Sequence, residues 1–574
     1  MSGFEAQGLD GRRPVNGVAV KGGYLPRSRY TSLGEYSLAL LSAFWLNLCF
    51  PIAGPVPVAR TAWGWVGLLP LLVALLGRRP ERESRYLLRS FLLAWVCGVV
   101  WYAINCYWIY QTMYLYGGLP APVSVGILLL FSLIMGLYFG LFGWLLGFVR
   151  RAAGVKLALF LAPFLWVAIE LLGAHLIKVP WDQLGYSQVG NFLLTPLAPY
   201  TGVYGISFVL VVVNVILTAG LLASAPRNRW SLLAGGAIAA VVLQAGTLLP
   251  PPPAPAEATA VLLQENLSVQ ESNLWVGPIW DEYTSRFLEA SERSCTPYLQ
   301  GTPELNARAV DPACQQPVAL DLVVWPEAPS PFRESDPRLH TLMRDLTAAT
   351  QAPVIVGNIA IDAHSGHTDY YNAASVFTAD GHLLGRYEKI HLVPWGEYIP
   401  YQSLFSFAHR LTGNAGDLTH GSRRTVFRVK GHTYGIFICY ESIFADEIRQ
   451  FAANGAEVLV NISDDGWYGD TSAPWQHLNM ARMRAIENRR WLLRDTNTGV
   501  TTAIDPYGRL TMSAPRHVFT SLAVRYGFRD DLTFYTRYGD LFAMLCGIIS
   551  LAVLARGVRV AVRGMAVKTP ERQV

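Results

Sequence analysis

Long apolar stretches alternate with short polar ones over the first half of the chain. A helix needs about 20 mainly apolar residues to cross a bilayer, because the hydrocarbon layer is about 30 Å thick. Eight stretches reach or approach this length, at residues 36–55, 62–77, 88–108, 122–149, 155–176, 203–224, 231–249 and 537–556. The pattern predicts seven membrane helices, then a long interruption, then an eighth helix near the end of the chain.

The interruption has a different pattern, in which short β-branched runs alternate with amphipathic segments. The predicted strands are "ATAVLLQEN", "LDLVVWPEA", "APVIVGNIAI", "YNAASVFTADGHLLGRYEK", "TYGIFICYESI", "AEVLVNISDDGW" and "GVTTAIDPYGRL". The predicted helices are "PIWDEYTSRFLEASERS", "PRLHTLMRDLTAAT", "ADEIRQFAANG" and "QHLNMARMRAIENRRWLLRD". Such alternation predicts an α/β structure in which helices cover a sheet.

Composition divides the chain in the same way. Only 15% of the residues are charged and 52% are hydrophobic, whereas soluble domains carry roughly 25% charged residues. The deficit of charge falls in the first half. We therefore predict a tail at 1–35, a membrane domain at 36–249, a globular domain at 250–530, and a last helix with a second tail at 531–574.

Lysines and arginines predict the orientation. In the tails and short loops, 20 of them fall on one side of the predicted helices, against Arg60 and Lys178 on the other. Positive charge in short loops marks the cytoplasmic side, so both termini are predicted in the cytoplasm and the globular domain outside it. The net charge of +5 flanks apolar segments and does not indicate nucleic-acid binding. The first 35 residues lack the apolar core of a cleavable signal peptide.

The seven cysteines follow this division. Four lie in predicted spans, where we expect them to pack: Cys49, Cys97, Cys106 and Cys546. Cys295 and Cys314 lie in a polar stretch of the globular domain, where a disulfide is plausible in an oxidising compartment. Cys439 is left unpaired.

Reactive side chains follow several predicted strands. Glu327 ends an apolar strand, Cys439 ends another, and Lys389 lies between apolar neighbours with Glu397 eight residues further on. A thiol becomes a nucleophile when a base takes its proton and a cation stabilises the developing negative charge. Each residue also has an ordinary interpretation, because Glu327 could cap a helix, Lys389 could be a surface lysine and Cys439 could be packing.

Three motifs, "VVWPEA", "EKIHLVPWGEYIP" and "ICYESIF", resemble in order and context the Glu, Lys and Cys motifs of the nitrilase superfamily. The membrane spans, "VPWDQLGYSQ" and the block "NISDDGWYGDTSAPWQHLNMARMRAIENRRWLLRDTNTG" narrow the resemblance to the apolipoprotein N-acyltransferases, from about residue 36 to 556. This resemblance implies a nitrilase-like αββα sandwich on a bundle of about eight membrane helices. It also implies a multi-pass protein of the bacterial inner membrane with its catalytic domain in the periplasm.

The resemblance further implies an acyltransferase. Such enzymes move an acyl chain from a phospholipid onto the cysteine and then onto the α-amino group of an apolipoprotein's diacylglyceryl-cysteine. By motif, Glu327 is the general base, Lys389 stabilises the oxyanion and Cys439 is the nucleophile. The supporting residues carried over by motif are Glu397, expected to orient Lys389, Tyr440, whose N–H is an expected oxyanion donor, and Glu441. A thioester keeps the energy of the ester, so no ATP, metal or other cofactor is expected.

Substrate-binding residues follow from the resemblance less directly. Trp275 corresponds to a family tryptophan near the lipid, although the spacing leaves Trp280 as an alternative. The apolar segment 398–411, which includes Tyr401 and Phe405, is predicted to be an arm or lid over the acyl chain, or otherwise a helix packed on the sheet.

The sequence departs from the family at Glu265, usually glycine, and at Asp464 and Tyr468, usually asparagine and phenylalanine. These departures leave the fine substrate preference open, but not the reaction class. "HSGH" at 364–367 is predicted as a hairpin turn. Two other functions stay open: a membrane-tethered amidase of small soluble amides, and a transporter or binding protein without activity.

Overall fold

The computed structural model describes residues 32–78, 85–269, 278–292, 319–327, 332–398 and 418–566. The α-helices of this part are α1 (Ser32–Leu48), α2 (Val58–Thr61), α3 (Leu69–Leu76), α4 (Arg85–Asn105), α5 (Trp108–Gln111), α6 (Ala121–Ala153), α7 (Val155–Leu176), α8 (Ala198–Thr201), α9 (Val203–Leu222), α10 (Pro226–Gln244), α11 (Pro278–Glu292), α12 (Pro337–Thr350), α13 (Ala445–Ala453), α14 (Ala473–Asn488), α15 (Phe534–Tyr538) and α16 (Leu541–Ala566).

Seven helical stretches among the described residues are long and apolar enough to cross a membrane. They are Val58–Leu76, Arg85–Asn105, Ala121–Ala153, Val155–Leu176, Val203–Leu222, Pro226–Leu248 and Leu541–Arg559. The remaining predicted span, 36–55, corresponds to α1, whose 17 residues are slightly fewer than the roughly 20 that a bilayer requires. The predicted membrane bundle is therefore confirmed.

Glycines let two of the long membrane helices approach closely. A Cβ added at Gly98 of α4 would lie 2.8 Å from Phe139 of α6, and one at Gly147 of α6 would lie 2.7 Å from the hydroxyl of Ser90. Lipid tails are as apolar as the helices, so association inside a membrane depends on such close packing.

Twelve strands form two six-stranded sheets in the described part of the globular domain. The strands are β1 (Ala258–Gln264), β2 (Leu322–Val324), β3 (Val354–His364), β4 (His367–Phe377), β5 (Leu383–Glu388), β6 (Val426–Val429), β7 (His432–Ile438), β8 (Val458–Ser463), β9 (Trp491–Thr496), β10 (Thr502–Ile504), β11 (Leu510–Ser513) and β12 (Thr520–Tyr526).

The first sheet has the order β12-β1-β2-β3-β4-β5, and the second has the order β11-β10-β9-β8-β7-β6. In the first sheet, β1, β2 and β3 are parallel, and β4 and β5 follow antiparallel, so β5 again runs in the direction of β3. In the second sheet, β7, β8 and β9 are parallel. Each sheet therefore brings the carboxyl ends of several strands to a common edge, where ligand sites of α/β sheets form.

Helices cover the outer faces of both sheets. On the first sheet, α11 and α12 bury a small core that includes Phe287, Trp325 and Leu346. On the second, α13 packs on β7 and β8, and α14 packs on β9. The two sheets face each other, because β1 contacts β9 and β4 contacts β7. This arrangement confirms the predicted αββα sandwich.

One predicted helix was too long. The sequence predicted a single helix through 476–495, but α14 ends at Asn488 and Trp491–Thr496 forms the buried strand β9. Arg489 has a left-handed φ of 51°, which ends the helix. Strands β6, β11 and β12 were not predicted. The hairpin predicted at 364–367 is confirmed, since His364 pairs with His367 and Gly366 has a φ of 90°.

Helix α14 connects the sandwich to the membrane helices. This helix contacts the short helix α8 and the 3-10 helix Leu184–Gln188, and Glu487 accepts a hydrogen bond of 3.0 Å from the backbone N–H of Val203 at the start of α9. Consequently, the second sheet lies closer to the membrane helices than the first.

The cysteines predicted to pack in membrane spans are buried and free, as is Cys439. Cys295 and Cys314 lie outside the described residues, so their disulfide stays a prediction.

Candidate active site

Three of the predicted reactive residues lie just beyond the ends of three strands. Glu327 follows β2 by three residues, Lys389 directly follows β5, and Cys439 directly follows β7. The first two strands belong to one sheet and the third to the other, so the residues meet where the two sheets face each other. All three side chains are buried.

Lys389 is held between two carboxylates. Its Nζ lies 3.0 Å from Oε1 of Glu327 and 2.9 Å from Oε1 of Glu397, and only 1% of its side chain is exposed. Asn372 donates 2.7 Å hydrogen bonds from Nδ2 to the same two oxygens. Burial by itself opposes the ammonium charge, but Glu327, Glu397 and Cys439 outweigh it and raise the pKa of Lys389 well above its usual value. These contacts therefore favour the charged form of Lys389 inside the site.

Glu327 is oriented through both of its carboxylate oxygens. Oε1 accepts hydrogen bonds from Lys389 and Asn372, and Oε2 accepts one of 2.8 Å from the backbone N–H of Asp464, which follows β8. These partners fix the position of the carboxylate beside the thiol. In this geometry Glu327 does not cap a helix, and Lys389 is not a surface lysine.

Cys439 lies at a sharp turn from strand to helix. Its φ is 50°, a left-handed value that is uncommon for a residue other than glycine, and it begins the 3-10 helix Cys439–Ile443. The first N–H groups of a helix have no partner within the helix, so the N–H of Tyr440 is available to a ligand. Strained conformations at such turns persist where the surrounding structure holds them in place.

The thiol of Cys439 is protonated at rest. Burial raises its pKa well above the usual value, and the nearby carboxylate of Glu327 adds to this effect, while Lys389 acts in the opposite direction. Because the thiolate is the nucleophilic form of cysteine, attack by Cys439 requires a base to accept its proton. Glu327 is in position to do so.

Glu441 connects the nucleophile turn to the segment that carries Lys389. Its Oε1 accepts hydrogen bonds of 2.8 Å from the hydroxyl of Tyr387, 2.7 Å from the N–H of Ile390 and 3.0 Å from the N–H of His391. Its Oε2 accepts one of 2.7 Å from the N–H of Ile438. A fully buried carboxylate with four donors fixes the spacing between the two strand ends.

A second buried hydrogen-bond network holds the backbone carbonyl of Cys439. This network was not predicted from the sequence. Nε2 of His477 lies 3.0 Å from the carbonyl oxygen of Cys439, which can only accept, so Nε2 carries a hydrogen. Nδ1 lies 2.9 Å from Asp465 and 3.0 Å from Arg494, and Arg494 binds Asp465 at 2.8 Å. Burial and the Arg494 cation lower the pKa of His477. The only indication of its role in the sequence is that His477 lies beside Gln476 in the block after Cys439 that resembles the family.

The site lies directly against the membrane helices. The ring of Trp181, in the loop after α7, stacks on His477 with centroids 6.1 Å apart, and its Nε1 donates to Gln476 at 2.8 Å. Trp108 packs on Trp181 and on Tyr468, with centroids 4.8 Å and 5.2 Å apart. Aromatic side chains therefore line the contact between the catalytic turn and the membrane domain.

The other predicted residues fall in different places. Trp275, Tyr401 and Phe405, together with nearly all of the segment 398–411, lie outside the described residues. Trp280 is buried in the outer helix layer against Phe332, below the guanidinium of Arg338, and does not reach the site. Among the two tryptophans considered, Trp275 remains the candidate for lipid contact.

The three departures from the family pattern are all buried. Asp464 lies next to Glu327, as described above, and its Oδ1 accepts hydrogen bonds from Gly466 N–H at 2.9 Å and Asn497 at 3.1 Å. Tyr468 packs on the aromatic residues between the site and the membrane domain. Glu265 is 2% exposed at the end of β1 and lies near Asp495 of β9.

Replacing Asp464 by Asn is expected to change how stability depends on pH. Burial raises the pKa of Asp464 from 3.8 to about 7, despite hydrogen bonds from Asn497 and Gly466. Between about pH 4 and pH 7 the folded chain keeps this proton and the unfolded chain does not, so stability falls as pH rises through this range. Asp464→Asn removes that loss. The midpoint of thermal unfolding should rise relative to the parent protein more at pH 8 than at pH 5; an equal change at both values would contradict the assignment.

Two family models match the membrane part and the sandwich part of the chain separately. Residues 42–216 match the family model described as "Apolipoprotein N-acyltransferase N-terminal domain", and residues 281–520 match the one described as "Carbon-nitrogen hydrolase". The apolipoprotein N-acyltransferase of Geobacter metallireducens is 33% identical over 91% of this chain and 94% of its own length. That of Methylococcus capsulatus is 31% identical over 87% of this chain and 94% of its own. A solved structure of an amidase from Nesterenkonia sp. aligns at 16% identity with a TM-score of 0.32, over 49% of this chain and 93% of that one.

Proposed function

Because the chain belongs to the apolipoprotein N-acyltransferase family, we propose that it moves an acyl chain from a phospholipid, through a thioester on Cys439, to the α-amino group of an apolipoprotein's diacylglyceryl-cysteine. The chain is an acyltransferase that acts in lipoprotein maturation, and it is a multi-pass membrane protein. Its relatives are matched over nearly their whole length, membrane helices included, which favours acyl transfer over the hydrolysis of small soluble amides.

In the first half-reaction, Glu327 accepts the proton of the Cys439 thiol, and the sulfur attacks the ester carbonyl carbon of the phospholipid. The tetrahedral oxyanion is stabilised by the ammonium of Lys389 and the N–H of Tyr440. As the intermediate collapses, the carbon–oxygen bond to the glycerol breaks, and Glu327 returns the proton to the leaving oxygen. The products are a lysophospholipid and the thioester on Cys439.

In the second half-reaction, the neutral α-amino group of the apolipoprotein attacks the thioester carbon. Glu327 accepts a proton from the attacking nitrogen, and the same two donors stabilise the second oxyanion. When the carbon–sulfur bond breaks, the sulfur of Cys439 takes the proton back. The products are an amide on the apolipoprotein and the free enzyme.

The observation that carries this proposal is the buried contact of Lys389 with Glu327 beside the Cys439 turn, at 3.0 Å between Nζ and Oε1. Glu397, Asn372 and Glu441 act as positioning residues, because they hold Lys389 and its strand end in place. A donor that is held in position before the reaction stabilises an oxyanion without reorganisation, and losing one typically costs roughly 2.7–4 kcal/mol of barrier.

The position of the site suits substrates that stay in the bilayer. Each buried CH₂ group is worth about 0.8 kcal/mol, so neither lipid leaves the membrane readily. Trp181 and Trp108 connect the catalytic turn to the membrane helices, and the hydroxyl of Tyr440 lies 3.5 Å from the carbonyl oxygen of Lys178. The Cys439 turn therefore lies next to the membrane helices, as a substrate that stays in the bilayer requires.

The product distinguishes the proposed reaction from hydrolysis. The full-length protein in bicelles would receive a phospholipid with a labelled acyl chain and a peptide that begins with diacylglyceryl-cysteine. We expect the label on the α-nitrogen of the peptide as an amide. Label released only as free fatty acid, at the same rate with and without the peptide, would contradict acyl transfer and indicate a hydrolase.

For location, we propose the inner membrane of a bacterium, with the sandwich in the periplasm and both termini in the cytoplasm. The excess of lysines and arginines in the tails and in one set of short loops supports this orientation.

Cysteine labelling tests the orientation. Asn228 is exposed in the first turn of α10, between Arg227 and Arg229, and Thr368 is exposed at the start of β4, next to the turn that follows β3. Both variants would be made in a protein in which Cys295 and Cys314 are replaced by Ser. When intact spheroplasts are treated with a membrane-impermeant maleimide, we expect Thr368→Cys to be labelled and Asn228→Cys not to be labelled. After permeabilisation, both should be labelled. The reverse pattern on intact spheroplasts would place the sandwich in the cytoplasm.

A further inference from the structure

A cavity lies inside the membrane domain, below the loop that supports the catalytic turn. Its volume is about 60 Å³, and it is partly open to the outside. Its walls come from α1, α4, α6 and α7 and from the loop that follows α7. They are mostly apolar and aromatic, and Trp181, which stacks on His477, forms part of the wall nearest to Cys439. The proposed mechanism makes no use of this cavity.

Four buried polar atoms of residues that line the cavity make no hydrogen bond of normal geometry among the described residues: Nε1 of Trp101, the hydroxyl of Tyr138, Oε2 of Glu170 and Oδ1 of Asp182. Tyr138 still interacts with the backbone of Ile177, and Glu170 with the side chain of Ser207, so Trp101 and Asp182 carry the two atoms left without a partner. Leaving a buried polar group unpaired costs about 1–3 kcal/mol. Two such atoms in one cavity therefore indicate that the cavity accommodates a ligand with polar groups of its own.

The carboxyl group of Asp182 has a partner on one oxygen only. Its Oδ2 accepts a hydrogen bond of 2.7 Å from Asn105, and its Oδ1 has no partner among the described residues. Glu170 is held more fully, because its Oε1 accepts hydrogen bonds of 2.9 Å from Trp166 and 2.8 Å from the N–H of Leu184, and it also interacts with Ser207. Asp182 is therefore fixed in place while one of its oxygens stays available to a ligand.

The depth of these groups indicates which part of a lipid they would meet. Trp101 lies four residues before the end of α4 and Glu170 six before the end of α7, or about 6 and 9 Å below the helix ends. Lipid ester groups lie at the boundary between the hydrocarbon layer and the interfacial region. Ester carbonyls accept hydrogen bonds, and the indole N–H of Trp101 is a donor. Burial raises the pKa of Asp182 to about 7, so near neutral pH much of its carboxyl group is protonated and can donate as well.

We propose that this cavity binds the acyl-ester part of a lipid substrate, with the N–H of Trp101 and the carboxyl group of Asp182 as hydrogen-bond donors to its carbonyl oxygens. The inference rests on the proposed function, because both substrates of that reaction carry glycerol esters. The ester belongs either to the non-transferred chain of the phospholipid donor or to the diacylglyceryl group of the apolipoprotein acceptor. The two half-reactions distinguish these sources.

Trp101→Phe removes the N–H and keeps an aromatic ring, so it tests the hydrogen bond directly. Acyl-enzyme formation would be measured against donor concentration, and transfer from preformed acyl-enzyme against acceptor concentration. Each measurement would be repeated with an ether lipid, whose ether-linked chains lack carbonyl groups. In the donor, the non-transferred chain would be ether-linked; in the acceptor, both chains would be ether-linked. In one half-reaction, we expect Trp101→Phe to raise the half-saturating concentration of the ester lipid about fivefold and to leave that of the ether lipid unchanged.

Trp144→Phe is the matched control, because Trp144 is a partly exposed tryptophan of α6 that does not line the cavity. It should change neither half-reaction. The wild-type protein gives a second measurement that needs no variant, since it should bind the ester lipid more tightly than its ether analogue in the same half-reaction. An equal ratio of ester to ether half-saturation in wild type and Trp101→Phe, in both half-reactions, would overturn the proposal and leave a water-filled cavity as the explanation.

Failure of this inference is separable from failure of the proposed function. If wild type forms no acyl-enzyme at any donor concentration, the proposed function fails. If wild type forms acyl-enzyme and transfers it, but ester and ether lipids behave alike in both proteins, only the cavity assignment fails.

Discussion

Lys389→Met is expected to lower the rate of acyl-enzyme formation at least about a thousandfold. Nζ of Lys389 lies 3.0 Å from Glu327 and 2.9 Å from Glu397; Lys389 and Glu327 are buried, and the side chain of Glu397 is 15% exposed. Methionine keeps most of the volume and removes the charge that stabilises the oxyanion. It also leaves the buried carboxylate of Glu327 without its cation, a change that costs roughly 3–5 kcal/mol in comparable buried pairs. Single-turnover acylation from a labelled phospholipid measures the rate.

Lys430→Met is the control for this variant. Lys430 lies in the turn between β6 and β7 and binds the carbonyl oxygen of Leu320 at 2.7 Å, away from the site. It should acylate at the parental rate. If Lys389→Met stays folded and acylates within tenfold of the parent protein, Lys389 does not stabilise the oxyanion, and its role is structural only.

Glu327→Gln is expected to slow acyl-enzyme formation by about two to four orders of magnitude, the range in which general-base catalysis contributes. Glutamine is nearly the same shape but cannot accept the proton of Cys439, whose thiol is protonated at rest because burial raises its pKa. The remaining contacts to Asn372 and to the Asp464 N–H can be kept in part by the amide oxygen. Acylation would be followed as a function of pH.

If Glu327 is the base, the Gln variant should recover part of its rate at high pH, where hydroxide or solvent removes the thiol proton. Glu282→Gln, on the exposed face of α11, is the control and should match the parent protein at every pH. A Glu327→Gln protein with an unchanged pH profile and rate would show that another group takes the proton.

The reactive residues could be predicted because each ends an apolar strand or lies in a recognisable motif. Glu327, Lys389, Glu397 and Cys439 are brought together as the sequence predicted, although the chemistry of each stays a proposal. Asn372 could not be predicted, because it lies inside a strand motif and gains its role only from the folding of β4 beside the two carboxylates.

The hydrogen-bond network of His477, Asp465 and Arg494 could not be predicted for a different reason. The run from Gln476 to Asp495 has the composition of one long helix, yet Arg489 takes a left-handed conformation and the following segment becomes the buried strand β9. Burial in the sheet outweighed helix propensity there. Because the chain changes direction there, Arg494 lies 2.8 Å from Asp465 and 3.0 Å from His477.

The membrane domain was the easiest part to predict, because bilayer thickness and apolar composition alone constrain a spanning helix. Its cavity was not predictable, since Trp101 and Asp182 are far apart in the chain, and the motif that contains Asp182 carried only the family resemblance. Their common feature, an unpaired buried atom, exists only in the folded molecule.

Mass spectrometry of the full-length protein after exposure to phospholipid tests the central claim most directly. We expect the mass of one acyl chain on the peptide that contains Cys439, removed by neutral hydroxylamine as a thioester is, and absent from Cys439→Ala. Acyl mass retained by Cys439→Ala, or amide product formed by that variant at the parental rate, would contradict a thioester on Cys439.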